Sequence, residues 1–83
     1  MNPQRVDGLE INPAEEGYII YQPEFDRVHF LNATAVLILE LCNGQNSEEQ
    51  IVKLIEEAYG LKENPAQLVS ETLAQMTAEG LLK

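Results

Sequence analysis

The sequence predicts an α+β fold of the winged helix-turn-helix type, with a small three-stranded antiparallel sheet followed by three helices (βββααα). β-Branched and aromatic residues cluster before Asn32 and are separated by turn residues. After Asn32 the apolar residues follow helical periodicity, with capping residues at the expected starts. The chain has 83 residues, of which 45% are hydrophobic, so residues 1–83 are expected to form a single domain.

The strand region is expected to contain an outlying strand and a hairpin. Val6–Ile11 is predicted as the outlying strand, and Asn12–Gly17 as a loop because proline and glycine interrupt it. Tyr18–Gln22 and Arg27–Leu31 are predicted to pair as the hairpin, with turn residues in Pro23–Asp26.

The first helix is predicted over Ala33–Asn43, with Asn32 as its N-cap and Gly44 as a left-handed C-cap. Its residues are apolar around most of the circumference, which favours a position at the centre of the fold. Cys42 is therefore expected to be buried as a small hydrophobe.

The second and third helices show clear boundary signals. The second begins with the capping box Ser47–Gln50 and ends at Gly60. The third begins with Asn64 as cap and Pro65 at its first position, and it ends at Gly80. Their predicted inner faces are Ile51, Leu54, Ile55, Ala58 and Tyr59 in the second, and Leu68, Val69, Thr72, Leu73 and Met76 in the third.

The composition narrows the functional classes. The 14 acidic and 5 basic residues give a net charge of -9, which counts against nucleic acid or an anionic membrane as partner. One cysteine and one histidine exclude a disulfide framework and the common zinc sites. No apolar run approaches the ~20 residues of a membrane span, and a cytoplasmic location is expected.

The sequence provides no convincing catalytic centre. A triad would need Ser47 or Ser70 together with His29 and an aspartate, yet neither serine lies in a nucleophile elbow. His29 is instead expected to be a strand residue with a satisfied ring. We therefore expect no catalytic residues, no metal and no cofactor.

An open strand edge beside an apolar helix is the remaining functional feature. An extended peptide could pair with such an edge. From the residues alone, this interpretation and that of a merely tolerated edge are equally supported. A winged-helix regulator and a structural protein-interaction domain remain as alternatives.

Several segments, taken in order, resemble the pyrroloquinoline quinone biosynthesis protein D family. Tyr18–Pro23 and Val28–Asn32 are similar to the strand pair of that family. The other similar segments are Leu31-Asn32, Leu39–Gly44, Ser47–Val52, Tyr59-Gly60 and Gly80–Leu82.

This resemblance implies a domain that recognises the leader region of a ribosomally made precursor peptide and presents it to another enzyme. That enzyme would be a modifying enzyme, often a radical S-adenosylmethionine protein, or a leader peptidase as in lasso peptide pathways. The peptide would add to the third strand, beside the third helix, although the same edge could pair with a second copy in a homodimer. The implied peptide-binding residues are Val28, His29, Phe30, Leu31, Leu68, Val69, Thr72, Leu73 and Met76.

The third helix departs from the family pattern at two positions. The family commonly has Asp-Val near the start of this helix and an aromatic residue one turn later. Here Leu68-Val69 and Thr72 stand at those positions. The departure implies a different precursor or a pathway other than that of the quinone.

Overall fold

The computed structural model describes residues 2–83 and has the predicted order of three strands followed by three helices. A short 3-10 helix, Pro23–Phe25, joins the second and third strands. The elements are β1 (Glu10–Ala14), β2 (Gly17–Gln22), β3 (Arg27–Leu31), α1 (Ala33–Leu41), α2 (Glu48–Tyr59) and α3 (Ala66–Ala78).

The three strands form an antiparallel sheet in the order β1-β2-β3, so β1 and β3 are its two edges. Ile20 lies opposite His29, and Ile19 opposite Phe30. Because side chains alternate along a strand, His29 and Leu31 face the helices, while Phe30 projects from the other face of the edge strand and is largely exposed. This confirms the predicted hairpin.

The prediction for the first strand is wrong. The strand is Glu10–Ala14 rather than Val6–Ile11, and Pro13 lies within it opposite Tyr18. A proline is tolerated there because β1 is an edge strand, where one side of the backbone needs no hydrogen-bond donor. Val6 instead donates its backbone N–H to the carbonyl oxygen of Leu81.

The first helix ends two residues earlier than predicted. Leu41 is its last residue, and Cys42 follows with its N–H donating to Leu39 O. Gly44 does have a positive φ of 80°, but it lies beyond the helix and donates to Pro3 O. Contrary to the prediction, Gly44 is therefore not the C-cap of the helix. It lies in a turn after the helix and is hydrogen-bonded to the N-terminal segment.

The predicted starts of the other two helices are confirmed to within one residue. Ser47 and Gln50 form the complete capping box at α2. Asn64 Oδ1 accepts from Ala66 N at 2.8 Å, which places the first helical residue immediately after Pro65. Gly60 ends α2 in the left-handed conformation, as predicted.

One hydrophobic core lies between the inner face of the sheet and the three helices. The central position predicted for α1 is confirmed, since Ile38, Leu39 and Cys42 are fully buried. On α2 only Ile51 and Ile55 of the predicted inner face are buried, whereas Tyr59 is 46% exposed. The remaining buried members are Ile20, Leu31, Val36, Val69, Leu73, Met76, Leu81 and Leu82.

Candidate functional site

A cleft of about 390 Å³ lies between the end of β3, the start of α1 and one face of α3. Its lining from α3 is spaced by three and four residues, which places those side chains on a single helix face. The complete lining consists of Phe30, Leu31, Asn32, Thr34, Ala35, Leu68, Glu71, Thr72, Gln75 and Met76.

The cleft has an apolar floor and an exposed apolar rim. Leu31 and Met76 are buried and form part of the floor. Phe30 is 62% exposed and Leu68 is 47% exposed, one on each side. Large apolar side chains left exposed around a concave surface are typical of a binding site.

Two buried side chains connect β2 and β3 to the C-terminal end of α3. Gln22 Nε2 donates to Gly80 O at 3.0 Å, and Gln22 Oε1 lies 3.1 Å from His29 Nε2. His29 Nδ1 lies 3.6 Å from Glu79 Oε2. These contacts fix the end of α3 against the sheet and therefore help to set the width of the cleft.

The edge of β3 next to the cleft is open, because no strand of residues 2–83 pairs with it. Such an edge presents unpaired N–H and C=O groups to an incoming chain. The opposite edge, β1, contains Pro13, which has no N–H to offer. The sheet therefore provides one edge that combines backbone hydrogen-bonding groups with an adjoining groove.

The structure brings five of the nine predicted binding residues into the cleft: Phe30, Leu31, Leu68, Thr72 and Met76. Val28 is exposed on the outer face of the sheet, and His29 is buried in the polar contacts described above. Val69 and Leu73 belong to the hydrophobic core, so they support the cleft from behind rather than line it.

Sequence reasoning missed Glu71 and Gln75, which line the cleft between the predicted positions on α3. Their spacing from Leu68 by three and seven residues was the available signal. An apolar periodicity does not single them out, because both residues are polar. Asn32, Thr34 and Ala35 were also missed, since the cleft extends past β3 to the start of α1.

The described residues contain little reactive chemistry. Among residues 2–83, no three His, Cys, Asp or Glu side chains are grouped so that they could hold a metal ion. Burial raises the pKa of the Cys42 thiol to about 11, which disfavours the reactive thiolate. No helix within this range has the length and apolar character needed to span a membrane.

Comparison with known proteins identifies the family of the chain. Among solved structures it is similar to the solution NMR structure of the PqqD truncation of Methylobacterium extorquens PqqCD, with a TM-score of 0.71 and 24% identity over 98% of this chain and 87% of that one. That protein is described as a functional, stand-alone recognition element for ribosomally synthesized and post-translationally modified peptides. No curated protein sequence matches the chain. The family model of coenzyme PQQ synthesis protein D (PqqD) matches residues 17–82, and the chain therefore belongs to this family, as its sequence segments predicted.

Proposed function

We propose that the chain is a non-catalytic peptide chaperone. It binds the leader region of a ribosomally synthesised precursor peptide and presents it to a modifying or processing enzyme. The observation that carries the proposal is the open edge of β3 beside the cleft of α3. Membership of the PqqD family and the similarity to a peptide recognition element support it.

In this proposal the leader peptide adds to β3 as a fourth strand. Its backbone pairs with β3, and alternate side chains enter the cleft. Phe30, Leu31, Leu68, Thr72 and Met76 contact the peptide directly. Val69 and Leu73 hold α3 in place from the core.

Backbone pairing by itself does not provide a stable complex. Each hydrogen bond contributes about 0.5–1.5 kcal/mol net, whereas ordering each peptide residue costs roughly 1–2 kcal/mol. Burial of one large apolar side chain adds about 1.5–3 kcal/mol. One or two apolar anchors in the cleft add roughly 1.5–6 kcal/mol in favour of the complex, so the affinity depends on these anchors rather than on backbone pairing.

The identity of the partner enzyme depends on the biosynthetic pathway to which the precursor peptide belongs. A radical S-adenosylmethionine enzyme or a leader peptidase would receive the bound precursor, and the genes next to that of this chain would distinguish them. A short precursor gene together with one of these enzymes is the expected arrangement. A neighbourhood with no short peptide gene would count against the proposal.

Amide hydrogen exchange tests the binding mode. The probe is a synthetic peptide spanning the leader of the adjacent short precursor. Amides of β3 that point away from β2 should exchange at least tenfold more slowly with the peptide bound, since they gain hydrogen-bond partners. The amides at the free edge of β1 provide the internal control and should be unaffected, because that edge lies on the other side of the sheet.

A matched pair of variants tests the cleft itself. Leu68 and Leu54 are exposed leucines on helices, 47% and 38% exposed, but only Leu68 lines the cleft. Leu68→Glu should weaken binding of the probe peptide at least tenfold because a carboxylate would be buried against its apolar anchor. Leu54→Glu should bind as the parent does. Equal affinities for a folded Leu68→Glu variant and the parent would contradict the proposed site.

A further inference from the structure

The charge distribution of the cleft identifies one residue that is suited to selecting the peptide. Glu71 is the only charged residue in the lining. All five cations of the chain lie outside it: Arg5, Arg27, Lys53, Lys62 and Lys83. A cationic ligand in the cleft would therefore meet a carboxylate and no competing positive charge.

The carboxylate of Glu71 is held on the wall of the cleft by its neighbour on α3. Gln67 Nε2 donates to Glu71 Oε1 at 3.1 Å. Oε2 accepts no hydrogen bond from residues 2–83 and is left to accept one from a ligand. Leu31 and Met76 line the same cleft and form part of its apolar floor.

A lysine or arginine side chain matches both features. Its aliphatic stem can cover the apolar floor while its charged head reaches the carboxylate. Glutamate and aspartate would be repelled, and an uncharged side chain would gain nothing from Glu71. The lining of the cleft therefore favours a basic side chain over an acidic or an uncharged one.

Neighbouring positions on α3 place the basic residue close to an apolar one. Glu71 and Met76 are five residues apart, which is about 140° around the helix, so they lie at opposite borders of the face that lines the cleft. Glu71 and Leu68 are three residues apart and are neighbours on that face. A peptide with an apolar side chain against Leu68 can therefore place a nearby lysine or arginine at Glu71.

We propose that Glu71 selects a leader segment in which a lysine or arginine lies close to an apolar anchor. This inference rests on the proposed function, since it concerns the same cleft. It adds the chemical class of peptide that the cleft takes and the residue that determines it.

Selection from a random library tests this without knowledge of the natural precursor. A displayed library of twelve-residue peptides is selected in parallel against the parent, Glu71→Lys and Glu57→Lys. Glu57 is the matched control, because it is an exposed helical glutamate that lies outside the cleft. Circular dichroism confirms that each variant is folded.

The parent and Glu57→Lys should both enrich peptides in which a lysine or arginine lies close to an apolar residue, whereas Glu71→Lys should lose this preference and enrich acidic residues instead. For one enriched peptide, Glu71→Gln should weaken binding by roughly two- to fivefold, the range of a single exposed charge pair. This loss should diminish as salt is raised.

Three results would contradict the inference. If the peptides that the parent enriches contain no basic residue, the inference is wrong, but the proposed function is unaffected. If Glu71→Lys enriches basic residues as strongly as the parent does, the preference for them comes from the overall charge of -9 and not from Glu71. A parent that retains no peptide above background would contradict the proposed function, and the inference with it.

Discussion

The orientation of one buried amide determines which nitrogen of His29 carries hydrogen. Gln22 must direct its NH₂ group to Gly80 O, so its Oε1 faces His29 Nε2, which has to be the donor. Gln22 is only 2% exposed and His29 only 8%. Loss of either partner would leave a buried polar atom unsatisfied, at a cost of about 1–3 kcal/mol. The fold therefore requires Gln22 and His29 at these positions, because their hydrogen bonds attach α3 to the sheet.

Cys42 gives a prediction at the scale of one residue. Its side chain is fully buried, and Sγ donates to Ile38 O at 3.1 Å. Because burial raises its pKa to about 11, the folded protein should react with a thiol reagent at pH 8 at least a hundredfold more slowly than protein unfolded in urea. Native labelling as fast as that of the unfolded chain would contradict the buried position.

The same shift has a consequence for stability. The fold favours the protonated thiol, so its contribution is fully present below the ordinary pKa of 9.0. It is lost as the pH rises from 9.0 towards the folded-state value of about 11. In Cys42→Ala this part of the alkaline loss should be absent, which urea unfolding across that range would show.

At the scale of the elements, the N-terminal segment joins parts of the chain that are far apart in sequence. Arg5 N donates to Cys42 O at 2.8 Å, and Gly44 N donates to Pro3 O at 3.1 Å. On its other side, Val6 N donates to Leu81 O, and Lys83 N to Gln4 O. Residues 3–6 thus connect the turn after α1 to the C-terminal tail.

Removal of residues 1–6 should therefore lower the free energy of unfolding by about 2 kcal/mol or more, since four backbone hydrogen bonds are lost. Urea denaturation followed by circular dichroism measures the change. Arg5→Ala is the control, because it keeps the backbone bonds and should change the value by no more than about 0.5 kcal/mol. A truncated chain with the midpoint of the parent would show that the segment is dispensable.

The contacts of residues 3–6 could not be predicted from the sequence. Capping residues and periodicity are local signals, and they located β2, β3, α2 and α3 to within about one residue. The bonds of residues 3–6 connect positions about 40 and 80 residues apart, for which no local pattern exists. Local patterns therefore predict a strand over Val6–Ile11 and a first helix that continues to Asn43, and both predictions are wrong.

The cleft was partly predictable for a related reason. Helical spacing gives the direction of an apolar face but not the depth of each residue on it. Leu68 and Leu73 therefore looked equivalent in sequence, although one is 47% exposed at the rim and the other is 7% exposed in the core. Only the packing of α3 against α1 and α2 distinguishes them.

At the scale of the whole molecule, the charge opposes one alternative function. The winged-helix regulator considered as an alternative would bind DNA by placing a helix in the major groove, as helix-turn-helix proteins do. DNA binding depends on cations that displace the counterions of the duplex. The described α3, Ala66–Ala78, contains Glu71 and no lysine or arginine, and the net charge is -9.

We therefore predict no complex with duplex DNA in a mobility shift at ~150 mM salt, with protein at tens of micromolar. Lowering the salt provides a sharper measurement, because it strengthens ordinary protein–DNA binding through counterion release. Here it should produce no complex, since weaker screening only increases the repulsion between two polyanions. A basic helix-turn-helix protein serves as the positive control on the same duplex. Low-micromolar binding that strengthens as the salt concentration falls would contradict this prediction. It would require a cationic surface, which the five basic residues of the chain do not form in the cleft or on α3. The winged-helix regulator would then replace the peptide chaperone as the better interpretation.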